Sequence, residues 1–180
     1  MSSTPVQAHR ASVNGLDTYY EVQGSGKPLV MLHGAILVDL GPSVAALARD
    51  HTVITPHLQG RGHTRDIDRP FSYEAMADDV AALLEHLELS RATILGQRYD
   101  LTEQVRSLAV DALLVFADED AITPDHIVQF WKELGGGKGE AGLDGTQRTR
   151  SQLAIMANTN HSTAANSPVF VEVVKSFMRD

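Results

Sequence analysis

The chain has 180 residues, a formal net charge of −8 and a pI near 5.4. This length suits one domain, 1–180, and the acidic balance argues against nucleic-acid binding, which needs a basic face. The chain contains no cysteine, which excludes disulfides, thiolate metal ligands and a cysteine nucleophile.

The N-terminal stretch MSSTPVQAHR lacks the apolar segment of a signal peptide. No later stretch approaches the length of a membrane-spanning helix. We therefore expect a cytoplasmic location and no membrane partner.

The first half of the chain alternates strand and helix patterns. Asn14-Gly15, between VQAHRASV and LDTYYEVQ, predicts an antiparallel hairpin. The continuous apolar run PLVMLHG predicts a buried parallel strand, followed by a short helix in GPSVAALARD and a strand in HTVITP. Residues 72–88 predict an amphipathic helix, because their apolar residues recur on one face and Ser72 is a suitable N-cap.

The second half continues the alternation. ATILG predicts a strand, and the polar connector QRYDLTEQVRSL leads to another buried strand, ALLVFADED. A helix in TPDHIVQFWKEL, a glycine-rich loop, a strand in SQLAIMA and a helix in SPVFVEVVKSFM follow. This alternation predicts an α/β fold, with a mostly parallel sheet, an antiparallel N-terminal hairpin and helices on both faces.

The glycine-rich stretches do not fit nucleotide-binding motifs. GSGKP lacks the third glycine of a dinucleotide loop, and GGGKGE lacks the Ser or Thr that holds magnesium. His57 and His63 bracket the LQGRG loop, but no third ligand with suitable spacing accompanies them. We therefore expect neither a cofactor nor a metal.

Asp120 and His161 are candidate catalytic residues because of their positions. Each follows a predicted parallel strand, and the carboxyl ends of such strands form the edge where ligands bind. A carboxylate that orients an imidazole is the supporting half of a catalytic triad. On spacing alone an alternative is equally good, in which Asp120 caps the helix starting near Thr123 and His161 is an ordinary loop residue.

Taken in order, the motifs resemble the α/β-hydrolase superfamily. They are the NG hairpin, PLVMLHG, HLQGRGHT, SYEAMADDVAALLEHL, FADEDAITP and the NH before the last helix. The resemblance implies a cofactor-free hydrolase of ester or related bonds in a small molecule, with Asp120 as the triad acid and His161 as the base. It also implies an oxyanion hole formed by backbone N–H groups around Gly34 and Ala35.

The resemblance breaks at the nucleophile. The family continues the strand ATILG as G-x-S-x-G, whereas GQRYD here puts Arg98 at the serine's position. A permanently protonated guanidinium cannot be a nucleophile. Asp100 is a candidate, since dehalogenase-like relatives use Asp at this turn, although it lies two places further on. Weaker candidates are a hydroxyl of Tyr99, Ser107 or Ser162, and water activated directly by Asp120 and His161.

The connection between ATILG and ALLVF is also shorter than in the family. A supporting helix, a strand and a mobile cap are expected there, and the connector has about 12 residues, close to the minimum for a parallel crossover. We interpret this as an internal deletion that gives a shortened α/β-hydrolase fold without a cap. The two strands then either pair directly or leave open edges through which the chain forms a homodimer. The function is accordingly that of a remnant hydrolase, or of a catalytically impaired or non-catalytic domain that binds a ligand or self-associates.

Overall fold

The computed structural model describes residues 5–33, 40–89, 92–96, 113–149 and 151–178. The chain divides into two compact units, Met1–Leu101 and Thr102–Asp180. Each unit contains one hydrogen-bonded sheet of the described strands. The expectation of a single domain over 1–180 remains a prediction.

The first unit is built on a mixed five-stranded sheet. Its strands are β1 (Gln7–Val13), β2 (Leu16–Gly24), β3 (Lys27–Leu32), β4 (His51–Pro56) and β5 (Thr93–Gly96), in the spatial order β1-β2-β4-β3-β5. β1 and β2 form the predicted antiparallel hairpin, in which Asn14 and Gly15 have φ values of 50° and 79°. Both values are positive, as the favoured two-residue hairpin turn requires. β2 pairs antiparallel to β4, and β3 pairs in parallel with β4 and β5.

Two helices, α1 (Gly41–Leu47) and α2 (Tyr73–His86), cover opposite faces of this sheet. Leu83 of α2, which is 1% exposed, packs with Val30 on one face. Val44 of α1 and Met31 line the same cavity on the other face, because successive side chains of a strand alternate. The expectation of helices on both faces of the sheet is confirmed in this unit.

The predicted start of α2 is also confirmed. Ser72 is its N-cap, and the Ser72 hydroxyl accepts a hydrogen bond from the Ala75 amide at 3.1 Å. This bond satisfies one of the backbone donors that the first helical turn leaves without a partner inside the helix.

A network of polar side chains stabilises the loop between β4 and α2. Asp79 of α2 has a side chain only 5% exposed, and it accepts hydrogen bonds from Arg69 at 3.1 and 2.7 Å. It also accepts one from the side-chain Nδ2 of Asn14, in the hairpin turn, at 3.2 Å. Arg69 donates to Gln59 from Nε at 3.0 Å, and Gln59 donates to Asp66 at 2.7 Å. The network thus joins the HLQGRGHT loop to both the hairpin and the helix.

The second unit is built on one pair of parallel strands. Its elements are β6 (Leu113–Glu119), α3 (Pro124–Glu133), β7 (Gln152–Asn160), a 3₁₀ turn (Ala164–Asn166) and α4 (Pro168–Met178). α3 buries Ile127, and α4 buries Phe170 and Val174. β7 extends to Asn160, beyond the end of the predicted strand SQLAIMA, because pairing resumes there after an irregularity in the ladder.

β5 pairs with β3, whereas β6 pairs with β7. β5 and β6 belong to different units. The two predicted alternatives, direct pairing of β5 with β6 or open edges on these strands, therefore remain predictions. None of the helices in the described ranges is long and apolar enough to span a bilayer.

The Asp79 network predicts that Asp79 contributes more to stability than the adjacent Asp78. Asp79→Ala removes the acceptor from Arg69 and Asn14, so we expect the free energy of unfolding to fall by about 1–3 kcal/mol. Asp78→Ala is the matched control, because Asp78 is exposed on the same helix. Urea unfolding followed by circular dichroism measures the free energy of unfolding of each variant. Equal decreases in the two variants would contradict a stabilising role of the network.

Candidate active site

Asp120 and His161 are in direct contact beyond the carboxyl end of the β6–β7 pair. His161 Nδ1 lies 3.0 Å from Asp120 Oδ1. The side chain of Asp120 is 4% exposed, whereas that of His161 is 32% exposed. The structure therefore combines a buried carboxylate with an imidazole that remains partly accessible to solvent.

Backbone amides hold the Asp120 carboxylate in place. Its Oδ2 accepts a hydrogen bond from the Ala117 amide at 3.1 Å, and its Oδ1 accepts one from the Ile122 amide at 3.3 Å. Helix α3 starts later, with Thr123 as its N-cap residue. The alternative in which Asp120 caps this helix is therefore wrong, because its amide partners precede the helix.

His161 lies in a turn built around Asn160. The side-chain oxygen of Asn160 accepts hydrogen bonds from the amides of Ser162 at 3.0 Å and Thr163 at 3.1 Å. In return, the Thr163 hydroxyl accepts one from the Asn160 amide at 3.0 Å. Side chains of this kind stabilise turns by bonding to nearby backbone groups. The backbone on both sides of His161 is consequently held in place.

The contact determines which nitrogen of His161 carries the proton. An ionised carboxylate can only accept a hydrogen bond, so Nδ1 of His161 is the donor to Asp120. In the neutral imidazole, Nε2 then keeps its lone pair. A carboxylate that fixes the tautomer in this way prepares the imidazole to take a proton at Nε2.

Several residues predicted from the sequence to form the site lie outside the described residues. These are the oxyanion-hole candidates Gly34 and Ala35, and the residues of the nucleophile region, Arg98, Tyr99, Asp100 and Ser107. Their roles stay predictions. Ser162 is described and exposed, with its amide bound to Asn160.

A second group of titratable side chains lies in the first unit, after β3 and β4. His33 is 4% exposed, and its Nε2 accepts a hydrogen bond from the Leu58 amide at 3.2 Å. Nδ1 of His57 accepts one from the His63 amide at 2.9 Å. Burial lowers the pKa of His57, and the neighbouring His33 and His63 lower it further, whereas Glu21 opposes the shift.

Two of these histidines, His33 and His57, border a cavity of about 220 Å³ in the first unit. The cavity is also lined by Glu21 and by apolar side chains such as Met31 and Val44. Within the described ranges, no group of three His, Cys, Asp or Glu residues is arranged to hold a metal ion. His57 Nδ1 is instead occupied by a backbone donor, which suits a structural role for this side chain.

Two residues of the site were not predicted from the sequence. Asn160 shapes the turn of His161, and the carboxylate of Asp118 binds backbone amides of β7. The segment NTNHST indicates a role for Asn160, because closely spaced Asn, Ser and Thr residues favour turns stabilised by their side chains.

Comparison with known proteins shows which proteins the chain resembles. No family model matches it. A soluble epoxide hydrolase from Corynebacterium sp. (strain C12) is 36% identical over 96 residues, which cover 52% of this chain and 34% of that protein. Serine hydrolase BPHL from Homo sapiens is 31% identical over 101 residues, which cover 52% of this chain and 35% of that protein. The chain spans about a third of the length of these curated relatives.

Solved structures extend the likeness beyond the part that matches in sequence. The enol-lactonase from Burkholderia xenovorans LB400 superposes with a TM-score of 0.71 at 16% identity, over 96% of this chain and 100% of that chain. The predicted α/β-hydrolase fold is thereby confirmed. Together, the curated relatives and the structural neighbours point to the α/β-hydrolase superfamily. The deletion of the elbow, its helix, a strand and the cap stays a prediction.

The Asp120–His161 contact predicts which ring nitrogen carries the proton in neutral His161. We expect neutral His161 to be mainly the Nδ1–H tautomer, because Asp120 accepts from Nδ1. In Asp120→Asn this preference should weaken or reverse, because the carboxamide can turn its NH₂ group toward the ring. Long-range ¹⁵N–¹H NMR spectra of the ring measure the tautomer. His126, exposed on α3, is the internal reference, and the same tautomer ratio for both rings in the unmodified chain would contradict the contact.

Proposed function

We propose that this chain is a hydrolase of ester or related bonds in which Asp120 and His161 form the general base. The observation that carries the proposal is the 3.0 Å contact between His161 Nδ1 and Asp120 Oδ1, which leaves Nε2 as the proton-accepting nitrogen. The two curated relatives support hydrolysis as the reaction class, since one is an epoxide hydrolase and the other a serine hydrolase.

Water is the nucleophile in this proposal, because Arg98 stands where the family has its serine. The water oxygen attacks the carbonyl carbon of an ester, and one water proton passes to His161 Nε2 as the new C–O bond forms. Asp120 stabilises the resulting imidazolium. When the tetrahedral intermediate collapses, the bond to the alcohol oxygen breaks and the proton on Nε2 passes to that oxygen. Such general-base catalysis contributes roughly 10²–10⁴-fold to the rate.

The substrate in this proposal is a small molecule, and neither a metal nor a cofactor takes part. The 32% exposure of the His161 side chain is compatible with access by a substrate, while Asp120 stays shielded behind it. A carboxylate shielded from water interacts more strongly with the imidazolium than an exposed one does.

His161→Gln tests the function. We expect the kcat/KM for 4-nitrophenyl acetate, and for styrene oxide if it is a substrate, to fall about 10²–10⁴-fold, because glutamine cannot accept the water proton. His126→Gln, on the exposed face of α3, should keep the activity of the unmodified chain. Equal activity of the two variants would show that His161 is not the base.

Labelling with a fluorophosphonate distinguishes water from a displaced serine. The folded chain should carry no stoichiometric label, as mapped by peptide mass spectrometry. Stoichiometric labelling of one serine that disappears in His161→Gln would replace water by that serine as the nucleophile.

A non-catalytic domain that binds a ligand or self-associates is the second candidate. Arg98 in the place of the nucleophile favours it, because the residues of a triad act as a unit. This candidate predicts a homodimer, formed through open strand edges, whose mass is the same in His161→Gln. Sedimentation equilibrium measures that mass. A monomer in the unmodified chain with saturable turnover would reject the self-associating form of this candidate.

A further inference from the structure

The register of the β6–β7 pair changes near its carboxyl end. From Leu113 onward the two strands pair at a constant offset, which brings Ala117 opposite Met156. Two residues later on β6, Glu119 lies opposite Asn160, which is four residues after Met156 on β7. β7 therefore has two more residues than β6 in this stretch, and residues 157–159 form a bulge opposite a single β6 residue, Asp118.

The bulge determines which residue of the following turn faces Asp120. If the register of the first part of the pair continued, Thr159 would lie opposite Asp120. With the two additional residues, His161 reaches that place, where its Nδ1 is 3.0 Å from the carboxylate. The contact of the candidate catalytic pair therefore depends on a feature of the backbone that precedes both residues.

Asp118 binds the backbone of the bulge directly. Its Oδ2 accepts a hydrogen bond from the Asn158 amide at 2.9 Å, and its Oδ1 accepts one from the Thr159 amide at 3.0 Å. Asn158 has a φ of 56°, a left-handed conformation that is strongly unfavourable for β-branched residues and more accessible to asparagine. The Thr159 hydroxyl adds a bond to the Met156 carbonyl oxygen at 2.8 Å.

The charge of Asp118 strengthens these contacts. Hydrogen bonds from the amides of Asn158 and Thr159 lower the pKa of the Asp118 carboxyl. The side chain thus stays ionised over the whole range in which a neutral imidazole can act as a base, and bonds from N–H groups to a charged acceptor are stronger than those to a neutral one.

We propose that Asp118 is a positioning residue, which holds the bulge at 157–159 and thereby sets His161 opposite Asp120. Its effect on catalysis rests on the proposed function of the pair as a general base. Its effect on the His161 tautomer does not depend on that function. The positioning role of Asp118 and the hydrolase function can therefore fail separately.

Asp118→Asn tests the positioning role with little change of shape. The substitution removes the charge and replaces one accepting oxygen by an NH₂ donor, so one of the two bulge amides loses its partner. We expect the His161 Nδ1–H tautomer, measured by ¹⁵N–¹H NMR, to lose its predominance. If the chain hydrolyses esters, kcat should fall at least about tenfold with little change in KM, as expected for a group that acts through the base.

Asp144→Asn is the matched control. Asp144 is also a surface carboxylate of the second unit, and hydrogen bonds from Thr146 lower its pKa, but it lies in the loop between α3 and β7. The tautomer of His161 should be unchanged in this variant. An unchanged tautomer in Asp118→Asn would overturn the positioning role, whereas a tautomer change in a chain without turnover would support it and reject only the hydrolase.

The unmodified chain provides a second test that does not depend on the folding of a variant. Because the pKa of Asp118 is below its ordinary value of 3.8, the carboxylate should hold both amides above that pH and release them as the pH falls through the lowered pKa. The amide proton shifts of Asn158 and Thr159 should therefore titrate together below pH 3.8, and the tautomer preference of His161 should be intact at neutral pH. Amide shifts that titrate independently of each other would show that Asp118 does not hold both amides, and would overturn its positioning role.

Discussion

The hydrogen bond between His161 Nδ1 and Asp120 Oδ1 depends on backbone geometry that neither residue supplies. Parallel strands in perfect register would place a threonine opposite the carboxylate. Two additional residues in β7 shift the chain so that the imidazole lies opposite Asp120 instead. The amides of Ala117 in β6 and of Ile122 in the β6–α3 connection hold the carboxylate. Small irregularities of the ladder are thus what bring two side chains, 41 positions apart in sequence, to hydrogen-bonding distance.

The end of a parallel strand is a suitable place for such a pair. Backbone groups where the ladder becomes irregular, and just beyond its end, need other partners. Here polar side chains supply them: Asp118, Asp120 and Asn160 each accept from backbone amides. The same bonds that satisfy the backbone therefore fix the carboxylate and the turn that carries the histidine. Comparable arrangements follow β3 and β4 in the first unit, where the imidazoles of His33 and His57 accept from backbone amides.

Local signals made much of the fold predictable from the sequence. The Asn14-Gly15 turn and the Ser72 cap each depend on a few adjacent residues, so the sequence shows them directly. Asp120 and His161 could be named because each follows an apolar strand and because the ordered motifs resemble the α/β-hydrolase superfamily. The end of β7 could not be placed, since the apolar pattern stops where the polar bulge begins.

The role of Asp118 was not predictable for a related reason. The segment DED offers three adjacent carboxylates, and local sequence cannot tell which one binds the partner strand. That choice is made by the register with β7, about 40 residues away, and by the left-handed conformation of Asn158. The capping interpretation of Asp120 failed similarly, because its amide donors precede the helix rather than start it.

A single turnover in H₂¹⁸O, with protein in excess over an ester substrate, tests the central claim of water activation most directly. Mass spectrometry follows the acid product and the intact protein in the same quenched samples. Direct attack by water predicts one solvent oxygen in the product of the first turnover and an unchanged protein mass at every time point. A substrate-derived group on the protein, or ¹⁸O in a protein carboxylate with unlabelled product, would contradict the claim and assign the attack to a side chain.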